Sequence, residues 1–194
     1  MSIEKYTTEA FVLRVYEQGE HDLVYKLWTR DFGIVFSLGK SIRKINAKLR
    51  SLIKKDDFVV VTLVKGKDVW RLVGAEEVSD FSESKLWSLK AKKIISEVVN
   101  KFIEEKKTYK KLFDRMKSIF LSEGDIEILD INNFKILIYY IVLVDTGYAD
   151  ATIIGVKDIE EYKSFSIKDF YTHFILNEKE IKKHVLSVFR ETMI

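Results

Sequence analysis

The hydrophobic period of this 194-residue chain changes once, near residue 82, from two to the spacing of a helix. Upstream of the change, "EAFVLRVYEQ" alternates Phe11, Leu13 and Val15 with Val12, Arg14 and Tyr16, and "DLVYKLWTR" follows the same pattern. That is the period of half-buried strands. Between them "EQGEHD" reads as a turn in which Gly19 is free to take positive φ. "GIVFSLG" makes a third strand from Gly33, and Phe58–Val64 with Val69–Val78 makes a hairpin across Lys65-Gly66-Lys67-Asp68. Five strands, with one long connection between the third and fourth, predict a small closed barrel of the OB type.

Downstream, Trp87, Ala91, Ile94, Ile95, Val98, Val99, Phe102 and Ile103 line one face of a long helix. Tyr109, Leu112, Phe113, Met116, Ile119 and Phe120 do the same for a second. A third begins near Asn132 or Asn133, either a suitable N-cap, and ends at Gly147. It is apolar nearly all round, which marks it as the central helix of a bundle. Two more follow, one opened by Ser166 with Asp169 three residues on, the other by Asn177 with Glu180. The expected class is α+β: an OB barrel over residues 1–80 and an all-α domain over 81–194.

Net charge is +3 and evenly divided, with 14 basic and 12 acidic residues in 1–80 against 19 and 18 in the remainder. Only local arrangement can then indicate a partner. The chain has no cysteine, which excludes disulfides and thiolate metal sites. Its start, "MSIEKYTTEAF", lacks a secretory core, and the longest apolar run, "ILIYYIVLV" at 136–144, is half a membrane span. A cytoplasmic protein without membrane contact is expected.

Catalytic patterns are missing. His21, His173 and His184 are scattered, and no metal-ligand spacing stands out around them. Glu17, Glu20 and Asp22 read as a polar hairpin turn rather than a cation site. "LGKS" at 38–41 resembles the end of a phosphate loop, but it lacks the upstream glycine and continues a strand. No metal, cofactor or enzyme activity is expected.

One stretch breaks the even mixing of charge. "GKSIRKINAKLRSLIKK", residues 39–55, carries Lys40, Arg43, Lys44, Lys48, Arg50, Lys54 and Lys55 without an acid. Ile42, Ile45, Leu49, Leu52 and Ile53 recur at near-helical spacing, so one face can pack on the barrel while the cations face water. A solvated face is the plain reading. The alternative is a polyanion site, because this segment lies beside the strand 2–3 face on which OB barrels bind nucleic acid. Tyr25, Trp28 and Phe36 are candidate stacking platforms there, although some of them must fill the barrel. Such a site grips phosphates and does not by itself read sequence.

The opening segment also resembles the bacterial RecO recombination-mediator family. The family pattern G-E-x-D, then L-x-T-R-x-x-G, is matched by Gly19-Glu20-His21-Asp22 and by Leu27-Trp28-Thr29-Arg30-Asp31-Phe32-Gly33. The basic segment that follows in the family is matched at Lys40, Arg43, Lys44, Lys48 and Leu49, with Ser41 and Ala47 replacing its usual Gly and Ser. "LVDTGY" resembles the close of the family's central helix at Gly147-Tyr148. Many members carry a four-cysteine zinc module after that point; this chain has only "ADATIIGVKDIEEYKSF" there.

The resemblance implies a minimal, zinc-free DNA repair and recombination mediator. Such a protein binds single- and double-stranded DNA, anneals complementary strands and assists RecA loading with a RecR-like partner and the tail of single-strand binding protein. Its DNA-binding residues here would be Lys40, Arg43, Lys44, Lys48, Arg50 and Lys54, with Arg30, Tyr25 and Trp28. Two alternatives stay open: an OB adaptor docking an acidic protein partner, and an RNA- or ribosome-associated OB protein.

Overall fold

The computed structural model describes residues 4–42, 52–67, 69–78, 86–105, 107–121 and 130–192. Strands β1 (Lys5–Gln18), β2 (Asp22–Thr29), β3 (Gly33–Gly39), β4 (Phe58–Lys65) and β5 (Trp70–Glu77) precede helices α1 (Leu86–Phe102), α2 (Lys110–Leu121), α3 (Ile131–Thr146), α4 (Ile159–Ser164) and α5 (Ile167–Thr192). The strands close a barrel in the order β1-β2-β3-β5-β4. This is the expected α+β architecture with an OB-like five-stranded barrel at its start.

β1 is long because it pairs on both edges, Ala10 lying opposite Thr29 of β2 and Val59 of β4. Its register against β2 shifts between Val12 and Arg14, a bulge at Leu13 that bends the strand around the barrel. The bulge also changes which side chains face inward. Val12 fills the interior, whereas Arg14 pairs with Lys26 and Tyr16 with Val24 on the outside.

The barrel is plugged at one end by Ile42 and Ile53, 2% and 3% exposed. Gly39 makes room for this plug: a Cβ there would run into Ile42 Cδ1 and come 3.2 Å from the Tyr25 ring. At the opposite end, near the start of β1 and the β2–β3 turn, the rings of Tyr6, Phe32 and Trp70 meet. Their centroids are 5.5 Å apart for Tyr6–Phe32, 5.6 Å for Tyr6–Trp70 and 5.1 Å for Phe32–Trp70.

Part of the barrel's outer surface is a second core. Phe11, Trp28 and Phe58 lie on the strand face opposite Ala10 and Leu27, yet all three are buried. The ring of Phe113 in α2 packs 5.0 Å from Trp28 and 5.9 Å from Phe58. On α1, Ile95, Val98 and Val99 are fully buried, Ser96 Oγ donates to the Leu13 carbonyl at 3.5 Å, and Lys92 Nζ reaches Asp57 at 2.8 Å. The chain accordingly divides into compact units at residues 1–114 and 115–194, a boundary inside α2. That division lies later than the change of period, because α1 and the first turn of α2 group with the barrel.

In the second unit α3 is buried at every position from Leu137 to Val144, as its all-round apolarity requires. Its N-cap is Asp130, which accepts from the amides of Asn132 and Asn133, so the expected cap is moved two or three residues upstream. Gly147 ends it in the left-handed region, and Tyr148 N–H donates to the Leu143 carbonyl at 2.7 Å. Between α3 and α5, where no element was expected, lie a 3-10 turn (Ala151–Ile154) and α4, capped by Asp150 and Asp158. Ser166 and Asp169 form the anticipated capping box. Within α5 the backbone of Asn177 is non-helical, at φ -115 and ψ 19, so the two expected terminal helices meet there at a kink, the second opening at the expected residue.

Candidate nucleic-acid interface

The basic run enters and leaves the barrel through fixed points. At its start Asp22 Oδ1 accepts the Ser41 amide at 2.7 Å, holding Ser41 at φ 54. Lys40 is exposed beside it and Ile42 is buried in the plug. At its end Ile53 is buried, Lys54 is exposed, and the backbone is stitched to β1 by Asp56 N–H to the Val12 carbonyl at 2.8 Å and Val12 N–H to the Asp57 carbonyl at 2.9 Å. Lys55 sits 3.7 Å from Asp56. Among the described residues neither Lys40 nor Lys54 enters an ion pair. Arg43, Lys44, Lys48 and Arg50 lie outside the described residues.

Three expected DNA ligands take other places. Tyr25 and Trp28 are fully buried, Tyr25 inside the barrel and Trp28 beneath Phe113, so neither offers a ring face to a base. Their expected stacking role is corrected on that ground. Arg30 holds both oxygens of Asp114, at 2.6 and 2.9 Å, and its guanidinium fork is filled by protein. The same turn is closed by Thr29 Oγ1, which donates to the Gly33 carbonyl at 2.8 Å and accepts the Phe32 amide at 3.0 Å. Asp31 accepts from Thr8 and Lys110, and the Lys110 ammonium holds its carboxyl below the usual range.

The face that is open continues the strand face of Trp28 beyond the cover of Phe113 and lies one residue out of phase with Tyr25. Across adjacent strands Arg14 pairs with Lys26 and Lys26 with Phe36; Tyr16 pairs with Val24, Val24 with Leu38, and Leu38 with Arg71 of β5. Strands stand about 4.8 Å apart and alternate residues about 7 Å apart, so these two rows form one patch. Phe36 is 38% and Tyr16 42% exposed. Arg14 and Arg71 are exposed and form no ion pair among the described residues. Lys26 lies between two attractions, Glu105 at 3.5 Å and the Phe36 ring centroid at 5.7 Å. Of these residues the sequence pointed only to Phe36. Lys26 and Arg71 stand on other strands and carried no signal of their own, while the bulge at Leu13 moves Arg14 and Tyr16 off the face that Val12 shares with the interior.

Two exposed rings interleaved with cations suit a single strand whose backbone is anionic and whose bases are free to stack. The described residues hold no cluster of three or more metal-ligating side chains. No described helix is long and apolar enough to cross a membrane.

No family model matches the chain. It is similar to proteins named DNA repair protein RecO. One, from Dehalococcoides mccartyi strain BAV1, is 29% identical over 76 residues, which are 39% of this chain and 30% of that protein. Another, from Nocardioides sp. strain JS614, is 31% identical over 78 residues, 40% of this chain and 32% of that protein. The matches thus span about a third of the length of those relatives.

Proposed function

We propose that this protein is a DNA repair and recombination mediator that binds DNA through the outer face of β1–β3 and the adjoining basic run. The observation that carries the reading is the patch of Arg14, Tyr16, Lys26, Phe36 and Arg71 on an OB-like barrel, with Lys40 exposed at the end of β3. The similarity to proteins named DNA repair protein RecO supports it independently.

Lys40, Lys54 and the cations of 43–50 release counterions as they take up phosphates, and the exposed rings engage bases. Strands held with screened charge and accessible bases pair faster, so annealing requires neither a nucleotide nor a reaction step. By the same reading the protein acts in the cytoplasm, beside a RecR-like partner and the tail of single-strand binding protein, and assists RecA loading.

An electrophoretic shift series with single-stranded DNA, duplex DNA and RNA of one sequence, repeated at several salt concentrations, tests this. Binding to both DNA forms that weakens steeply with salt is the expected result. Preference for RNA would move the function to an RNA-associated OB protein. Failure to bind any bare oligonucleotide would leave the adaptor reading, with the cations facing an acidic protein.

A further inference from the structure

The end of the barrel away from the basic run carries a second combination of rings and cations. Tyr6, Phe32 and Trp70 are half-buried and packed edge-to-face or tilted. Lys65, opposite Trp70 across the β4–β5 pairing, places its ammonium 5.9 Å from the Trp70 ring centroid. Lys5 and Lys67 are exposed nearby: Lys5 faces Val64 in register, and Lys67 belongs to the tight turn closed by Gly66 N–H on the Val69 carbonyl at 3.1 Å. None of the three lysines enters an ion pair among the described residues. Of the described acids near Lys5 and Phe32 in sequence, Glu4 is engaged by the Tyr6 hydroxyl and Asp31 by Thr8 and Lys110; Asp68, which follows Lys67, lies outside the described residues.

This repeats the chemistry of the outer face with different residues. There Lys26 rests against Phe36; here Lys65 rests against Trp70. The two rings lie on adjoining strands, since Ser37, next to Phe36, pairs with Trp70. They point apart: Phe36 faces outward, while Trp70 packs against the barrel core at its end. One surface therefore does not simply extend into the other.

We propose that the Tyr6–Phe32–Trp70 end of the barrel is a second binding site for single-stranded nucleic acid. A base stacks on Trp70 in place of the Lys65 ammonium, and Lys65 swings to the adjoining phosphate with Lys5 and Lys67 beside it. The exchange is favourable because a cation–ring contact at an exposed site is weaker than a base–ring stack, and the displaced lysine finds an anion. The inference rests on the DNA-binding reading above and adds a mechanism to it: one chain carries two strands at once, one on the outer face and one at the barrel end, before they pair.

The test is a titration of the full chain with a labelled oligo-dT of about 12 nucleotides, within the range one OB fold covers. Anisotropy counts the strands bound, and tryptophan emission is followed in parallel. Trp28 is fully buried, and subtracting the Trp70→Phe signal isolates Trp70 from the other tryptophans. The expected result is two oligonucleotides per chain, with quenching of Trp70 that the Trp70→Phe variant lacks. The Lys65→Ala/Lys67→Ala double variant, both positions being exposed, should lose the second strand by about tenfold or more in affinity at low salt, and keep the first. Annealing should fall with the second strand. Binding without a Trp70 signal, or two strands still bound equally by the double-lysine variant, overturns the second site and leaves the DNA-binding reading intact. Absence of any anisotropy change in the parent overturns both.

Discussion

Arg30 and Asp114 form a two-point ion pair, Nε to Oδ1 at 2.6 Å and Nη2 to Oδ2 at 2.9 Å. It joins the turn after β2 to the first turn of α2. Around it, the Leu-x-Thr-Arg-x-x-Gly pattern becomes intelligible as architecture. Thr29 closes the turn on Gly33, Arg30 grips Asp114, and Gly33 lets the backbone near Lys107 approach. A parallel case is Asp22 of the Gly-Glu-x-Asp pattern, which fixes Ser41 at the entrance of the basic run. On the proposed reading both motifs hold the candidate interface in place without contacting the DNA strand.

Replacing Arg30 or Asp114 by Ala should therefore lower the melting temperature without weakening single-strand affinity. The loss should shrink as salt is added, because the pair is partly exposed and screened. A matched melting and anisotropy series decides the point: affinity that falls with Arg30→Ala but not with Asp114→Ala would make Arg30 a phosphate ligand.

Gly33 and Gly19 both take left-handed backbone, at φ 68 and φ 61, but only Gly33 is crowded. A Cβ at Gly33 would run into the Lys107 carbonyl oxygen, whereas one at Gly19 meets nothing within 4 Å. Gly19→Ala should cost about 1 kcal/mol, the backbone penalty alone. Gly33→Ala should cost about 2 kcal/mol or more, since backbone must also move. Equal losses in denaturant unfolding would show that the approach of the Glu105 and Lys107 carbonyls is dispensable.

Asp31 links pH to stability. Its carboxyl is held below the ordinary value of 3.8, first by Lys110 and then by Thr8. A depressed folded-state value means the stabilisation is complete above the unfolded pKa and is lost as pH falls through the folded one. Asp31→Asn should thus be less stable than the parent at neutral pH, with the gap closing as the pH drops below about 4. Thermal melts across that range would show it. A gap independent of pH would assign the effect to the Thr8 hydrogen bond alone.

At the interface, changing Arg43, Lys44, Lys48 and Arg50 together to Ala should weaken binding to unrelated oligonucleotides alike. The slope of log K against log salt should become shallower by about 0.7 for each single-strand phosphate no longer neutralised. Phe36→Ala should cost about 1 kcal/mol at every salt concentration, because stacking releases no ions. A variant without these four cations that still binds and anneals like the parent would reduce the run to a solvated face.

The fold was legible where one physical signal dominated. The alternation of β2 and the all-round apolarity of α3 each admit one reading, and the Ser166–Asp169 pair marked its helix start correctly. The interface was less legible for two reasons. Strands of an α+β domain that are covered by helices on the outside are apolar on both faces, so Trp28 and Phe36 look alike until Phe113 is seen to cover one of them. The bulge at Leu13 then inverts the phase of β1: unbroken alternation from Val12 would put Arg14 and Tyr16 inside. At α3, Asp130, Asn132 and Asn133 are all good caps by chemistry, and only hydrogen bonding selects among them.

Ile42 and Ile53 seat both ends of the basic run in the barrel plug, with ten residues between them. A segment closed in this way has its ends brought together by folding of the barrel, not by arrival of a ligand. The closure term grows only with the logarithm of length, so doubling the intervening chain adds about 0.6 kcal/mol. Insertions between the two isoleucines should therefore add little closure cost while changing how far the cations reach. Length at this one place is a coordinate along which reach on a polyanion can drift while the barrel stays the same.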